Sequence, residues 1–307
     1  MEKNQHRIIY AYYSKIWKYR ENDKKELERL SIEVIPEEFT EEMQRKIYCP
    51  ICATPLSRTP ALKNISKNNI AAHFKHGSSE KYEESKNCKW RVHAPSGLNY
   101  KNEEEVKKAV ESKELIIVSS WKSEPSSQNK DVGGNGDYTN TAIEDENGPE
   151  TIVPIGRHNG SEYKLPSNVS TVMAFCKDFP QNLKKGFYFP NSQYSMLLSD
   201  QLYSSLKIKD NLPKRETLFF GKIVSFGRLN YRNVLTIKSG VDEFKIYTNP
   251  GFDERKRVDN TARGRYLLFA ARPYWELEGS IAACKVLQWG AYSLLPTKYD
   301  KYLTPLM

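Results

Sequence analysis

Cys49, Cys52, His73, His76, Cys88 and His93 crowd into one stretch of a 307-residue chain that holds five cysteines and five histidines in all. They follow the order C-x2-C, H-x2-H, C-x4-H. Thiolates and imidazoles are the donors Zn²⁺ takes, about four at a time, at roughly 2.0–2.3 Å. Six of the ten such side chains in one window therefore point to a zinc centre. Cys49-Pro50-Ile51-Cys52 reads as a knuckle whose tight turn lets two thiolates face one ion. Cys49, Cys52 and Cys88 are the strongest ligands, His73 or His76 is the fourth, and His93 is held in reserve. So many donors describe a closed structural site rather than one with an open catalytic position. The residues between the pairs are polar, so the metal would supply much of the local folding free energy.

Other uses of these cysteines fit less well. A redox pair calls for a neighbouring βαβ pattern, which is absent. A disulfide framework belongs to small secreted chains. This chain is long, has an odd cysteine count and opens on Met-Glu-Lys-Asn-Gln-His without an apolar signal segment, so a reducing cytoplasm is expected. No run approaches the roughly 18 apolar residues of a membrane helix. The net charge of +9 favours anionic partners, nucleic acid first, and a membrane is not expected.

The elements that would position these groups read as an α+β chain. Residues 7–17 are β-branched and aromatic and predict a strand. Residues 21–30 are helix-prone, and Pro36-Glu-Glu opens a second short helix. Asn102 is placed to cap a helix over 103–112, with a strand at 115–119. Residues 119–160 are rich in Gly, Ser, Asn and Asp, with Trp121 among few large apolar anchors, and predict a flexible linker. Residues 161–213 predict a helical connector: Val169, Val172, Met173 and Cys176 share one helix face, and Leu198, Leu202 and Leu206 another, while Tyr188 and Phe189 before Pro190 suggest an extended segment. Cys176 is a buried thiol on that face.

Residues 48–56, His73-Phe-Lys-His76 and Cys88 resemble the zinc finger that opens competence-protein CoiA-like proteins, a CPxC knuckle followed by an H-F-x-H box. The resemblance covers about residues 45–95. It implies a finger with these ligands, in a DNA-processing or phage-defence setting. In that family a nuclease domain with an acidic and lysine core follows. Glu103, Glu104 and Glu105 instead sit in a helical run, and Glu144-Asp-Glu146 in a Gly/Asn-rich stretch, so the finger carries over without the nuclease.

Residues 214–307 predict an OB-like β-barrel. Strand patterns fall at 218–226, 234–238, 244–248, 265–272 and 280–287, with room for a short helix at 250–263, the order of a five-stranded Greek-key barrel. Gly221 is placed where such a barrel bends, and Phe220, Phe226, Phe244, Phe269 and Trp289 fill the core. Residues 214–290 hold fourteen Lys and Arg against eight Asp and Glu, with twelve aromatics. Single-strand binders combine such cations with stacking rings. The expected contacts are Arg228, Tyr231, Arg232, Lys245, Tyr247, Arg255, Lys256, Arg257, Arg263, Arg265, Arg272, Tyr274 and Trp275, with Lys245 and Tyr247 facing outward. Together these readings describe a non-catalytic, zinc-containing binder of single-stranded DNA or RNA. A zinc-containing nuclease and an adaptor that binds the protein subunits of a larger assembly are the alternatives.

Overall fold

The aromatic run near residue 10 forms the centre of the first unit. In the computed structural model, which describes residues 8–63, 72–78, 80–86, 88–91, 100, 103–125, 150–155, 161–190, 192 and 195–307, β1 is Ala11–Tyr13 and all three residues are buried. It is shorter than expected because the chain turns at Ser14, whose hydroxyl accepts from Trp17 N at 3.1 Å and donates to Leu30 O at 2.5 Å. Helix α1 (Lys24–Arg29) is capped by the Asp23 carboxylate on Lys25 N, and β2 (Ile32–Val34) follows. The second expected helix is a single 3-10 turn at Pro36–Glu38. Strands β3 (Ile47–Tyr48), β4 (Leu56–Thr59) and β5 (His73–His76) complete the unit. The sheet order is β2-β1-β3, with β4 and β5 paired separately.

The chain divides into two compact units, and the first joins residues 1–95 to residues 301–306. Its core is aromatic. The Tyr10 ring meets the edges of Trp90 at 5.4 Å and Tyr302 at 5.5 Å, and Trp17 packs on Tyr48 at 4.7 Å. Leu27, Ile47, Phe74 and Leu303 are buried with them. Apolar burial therefore contributes to the stability of this unit.

The second unit holds residues 96–300. Helix α2 (Glu103–Glu111) buries Val106 and Ala109 against Leu115 and Ile117 of β6 (Leu115–Ile117). The expected cap Asn102 lies outside the described residues, as do 126–149 and 156–160 of the expected linker. What is described of that linker is ordered into the unit. Trp121 is buried and donates to Glu216 at 2.7 Å, and Lys122 exchanges backbone bonds with Ser170 and Gly290. The β-branched Thr151-Ile152-Val153 lies in β7 (Glu150–Ile155), paired with β8 (Ser161–Pro166).

The connector is mixed rather than helical. Short helices α3 (Val172–Cys176) and α4 (Phe179–Asn182) lead to β9 (Gly186–Tyr188) and β10 (Met196–Leu197). Then come α5 (Leu198–Gln201) and β11 (Leu202–Ser204). The predicted faces are largely buried, the extended segment expected at Tyr188 is β9 between β10 and β6, and the second leucine helix gives way to β11 at Leu202. Aromatic side chains pack better on a pleated, half-buried surface than in a four-residue helix.

The remaining elements are β12 (Thr217–Arg228), β13 (Asn233–Ile237), β14 (Glu243–Thr248), α6 (Pro250–Lys256), β15 (Tyr266–Ala271), β16 (Tyr274–Leu277), β17 (Ile281–Cys284) and β18 (Tyr292–Leu294). The hydrogen-bonded path runs β16-β17-β14-β13-β12-β15-β18 and does not close into a ring. The five expected strands are present, and β16 and β18 are additional. Phe219 is a core ring that the sequence reading left out: it stacks on Phe269 at 5.3 Å and meets Phe244 edge-on. Phe226 is only half-buried, beyond a register shift between Ile223 and Ser225. Gly221 is required by close approach, since a Cβ there would lie 2.3 Å from both Ile237 Cγ2 and Ser205 Oγ. Among the described residues no helix is long and apolar enough to cross a membrane.

Candidate metal centre and cationic face

The knuckle is a hairpin between β3 and β4. Cys49 N donates to Thr54 O at 2.9 Å, Ala53 N donates to Cys49 O at 2.8 Å, and Ala53 takes a left-handed φ of 59° to close the turn. This holds both cysteines on the inside of the turn, Cys49 fully buried and Cys52 partly so. Strand β5 adds His76. Its Nε2 lies 3.3 Å from Cys52 Sγ, and Phe74 on the same strand face is buried. Cys88 follows a 3-10 turn at Glu83–Ser85, anchored by its N donating to Ser85 O at 3.2 Å, and its Sγ lies 3.7 Å from Cys49 Sγ.

The ligand atoms of Cys49, Cys52, His76 and Cys88 all lie within 4.8 Å of one another, a group that could hold a metal ion. Burial, then the hydrogen bonds with Cys52 and Cys88, push the Cys49 thiol well up. Hydrogen bonds from Cys49 and Cys88 pull Cys52 down. Three converging thiols cannot all ionise without a cation among them. His73 is not in the group: odd spacing on an extended strand sends it to the face opposite His76. His93 lies outside the described residues.

The expected nucleic-acid contacts separate into two sets. Arg232, Lys245, Tyr247 and Tyr274 come together on one face of the second unit. The Arg232 guanidinium lies 3.8 Å from the centre of the Tyr247 ring. The Tyr247 hydroxyl donates to Glu276 at 2.5 Å, and Lys245 Nζ donates to the other Glu276 oxygen at 3.3 Å. The Tyr247 hydroxyl is pushed up to about 12 by burial and by Glu276. The Glu276 carboxyl is held below its ordinary range by the Tyr247 hydroxyl and then by Lys245. Alternation correctly places Tyr247 opposite Phe244 and Ile246. However, the ring is 6% exposed beneath Arg232 rather than an open platform. Tyr231, at 93%, is the open ring, on a turn closed by Leu229 N donating to Arg232 O at 2.8 Å. Arg228 is exposed at the end of β12, and Trp275 is half-buried.

The other basic residues divide between surface and scaffold. Arg255, Arg257, Arg263 and Arg272 are exposed. Lys256 instead donates to Tyr292 O at 2.8 Å and sits over the Trp289 ring at 4.1 Å. Arg265 donates to Leu295 O at 3.3 Å. These two hold the fold. Sequence reasoning missed Glu276, although the alternation of Tyr274-Trp275-Glu276-Leu277 is a strand signal that could have placed it beside Tyr274. It also missed Asp253, fully buried, which accepts from Asn233, Thr248 and Tyr292 at 2.6–2.8 Å.

No protein-family model matches the chain, and no curated protein matches it. Among solved structures, an OBody bound to hen egg-white lysozyme is similar over 30% of this chain and 92% of its own, at 12% identity and a TM-score of 0.22. A chain described as an aspartyl-tRNA synthetase from Leishmania major Friedlin is similar over 31% of this chain and 20% of its own, at 8% identity and a TM-score of 0.23. Scores this low carry no weight for fold or function, which rest on the residues themselves.

Proposed function

We propose that the chain is a non-catalytic binder of single-stranded DNA or RNA, with a zinc-held N-terminal unit and an OB-like barrel in its second unit. Zinc is supported by distances. Tetrahedral Zn²⁺ with S and N ligands at its usual bond lengths separates two sulfurs by about 3.8 Å and a sulfur from a nitrogen by about 3.6 Å. The Cys49–Cys88 and Cys52–His76 separations are 3.7 and 3.3 Å. When bound, the ion would supply a local cross-link and balance the thiolates. A full set of four protein ligands favours a structural over a catalytic role.

The barrel reading is supported by strand order, by the parallel β14–β17 pairing and by α6 between β14 and β15. Only Arg272-Pro273 separates β15 from β16, so one interrupted strand links two otherwise distant parts of the path. Proline removes a ladder donor there. The resemblance of the finger to CoiA-like proteins supports a DNA-processing or phage-defence setting.

The observation that carries the binding proposal is the Arg232–Tyr247 stack, flanked by exposed Tyr231, Tyr274 and Arg228. Cation-lined faces with planar groups bind single strands through phosphate attraction and stacking. Fluorescence anisotropy with single-stranded DNA and RNA should show affinity falling steeply with salt. Arg232→Ala should flatten the log–log slope by about 0.7 if it contacts one phosphate. No binding by the whole protein at low salt would overturn this function and favour the adaptor role.

A further inference from the structure

We propose that Glu276 reads the nucleobase and makes this face select guanine, an inference that rests on the nucleic-acid reading above. Glu276 sits at an irregularity in the sheet. Tyr274 pairs with Ala283 and Trp275 with Ala282, but Leu277 pairs with Ile281, so Glu276 is an extra residue on β16. Alternation from Tyr274 keeps Glu276 on the side of the strand where Ala283 and Lys245 stand, and the extra residue bends the strand there. Here the carboxylate is aimed across β17, where Ala283 is the residue paired with both Lys245 and Tyr274. A methyl side chain leaves room above the strand, and Glu276 reaches over it to Tyr247 and Lys245 of β14.

The result is a fixed carboxylate in a cationic and aromatic setting, with 27% of its side chain still exposed. Among the described residues, Oε1 accepts from Tyr247 and Oε2 from Lys245. Each keeps acceptor capacity for a ligand, because an ionised carboxylate offers about four lone-pair sites. A carboxylate takes paired donors best when they are parallel and adjacent.

Guanine carries two adjacent donors, N1–H and the N2 amino group, on its Watson–Crick edge. Adenine and cytosine place a ring-nitrogen acceptor beside their amino group, and thymine and uracil flank N3–H with carbonyls. Each of those edges turns a lone pair toward the carboxylate. Unstacked bases of single strands are read on this edge while stacked on aromatic rings or guanidinium planes. Arg232, lying on Tyr247, and Tyr274, 40% exposed, supply such planes beside Glu276.

The test is anisotropy of the full chain with labelled oligothymidine carrying one central guanine, adenine or cytosine. The guanine probe should bind about tenfold tighter than the others, the scale of one good bidentate base contact. Glu276→Gln replaces one acceptor with a donor and should abolish that preference while leaving guanine-free probes bound. Tyr247→Phe keeps the ring, removes the hydroxyl that orients the carboxylate, and should weaken the preference in part. Thermal melts of both variants would separate unfolding from altered reading. Equal tightening on every probe in Glu276→Gln would make the carboxylate a mere counter-charge and overturn the inference, as would wild-type binding with no base preference. Failure to bind any probe at low salt would instead sink the underlying nucleic-acid function, and this inference with it.

Discussion

His73 and His76 show how much one residue's position on a strand decides. Both belong to the H-x2-H box, and spacing on the linear chain does not separate them. An extended strand does, because residues three apart face opposite ways. His76 shares the buried face of Phe74 and meets Cys52 at 3.3 Å. His76→Ala should therefore lower metal content sharply, whereas His73→Ala should keep it near one ion per chain. Cys49→Ser should behave like His76→Ala. Elemental analysis of protein purified without chelator reads all three, and equal loss in both histidine variants would contradict the assignment.

Between elements, buried polar groups and close approaches fix the packing. Asp253 joins α6 to β13, β14 and β18 through its three donors. Burial raises its pKa above the ordinary carboxylate value, while the hydrogen bonds oppose the shift. The folded state thus holds the proton more tightly than the unfolded one. The stabilisation from this group is fully present below the unfolded-state pKa and is lost as pH rises through the raised folded value. Asp253→Asn should remove that component, so the stability difference between wild type and variant should change across that window. Denaturant melts at several pH values measure it, and a flat difference would refute the linkage. Gly221→Ala should cost about 1–3 kcal/mol, because the added methyl collides with Ile237 and Ser205 and a packed core resists overpacking. The same substitution at Gly264 meets no atom within 4 Å and carries only the strain of its φ of +84°.

At the scale of the molecule, the first unit is built from segments far apart in sequence. Tyr302 packs on Tyr10 and donates to Glu33, and Lys301 Nζ donates to Glu33 O at 3.2 Å. Tyr302→Ala should destabilise this unit by about 3 kcal/mol, the scale of deleting a buried aromatic side chain. Chelation should lower the melting temperature of the same unit without abolishing its near-UV circular dichroism, since its aromatic core persists without the ion. Loss of that signal on chelation would show that the metal, rather than the rings, organises the core.

The sequence alone determined what local chemistry encodes. The Cys/His window marked the group that could hold a metal ion through donor type, and alternation with turn residues marked five strands of the second unit in the right order. The core rings Phe220, Phe244, Phe269 and Trp289 followed from the expectation that aromatics fill the interior, which failed at Phe226. Tertiary structure decided the rest, because the deciding contacts are non-local. The choice of His76 over His73 depends on the strand and on where Cys52 and Cys88 converge. The reach of Glu276 depends on the pairing of β16 with β17 and of β17 with β14, and on Ala283 between them. The extended segment at Tyr188 was legible from its aromatics before Pro190, but its partner β6, about seventy residues earlier in the chain, was not. Tyr247 alternates outward as its period requires, yet it lies covered because Arg232, from a neighbouring turn, lies across its ring.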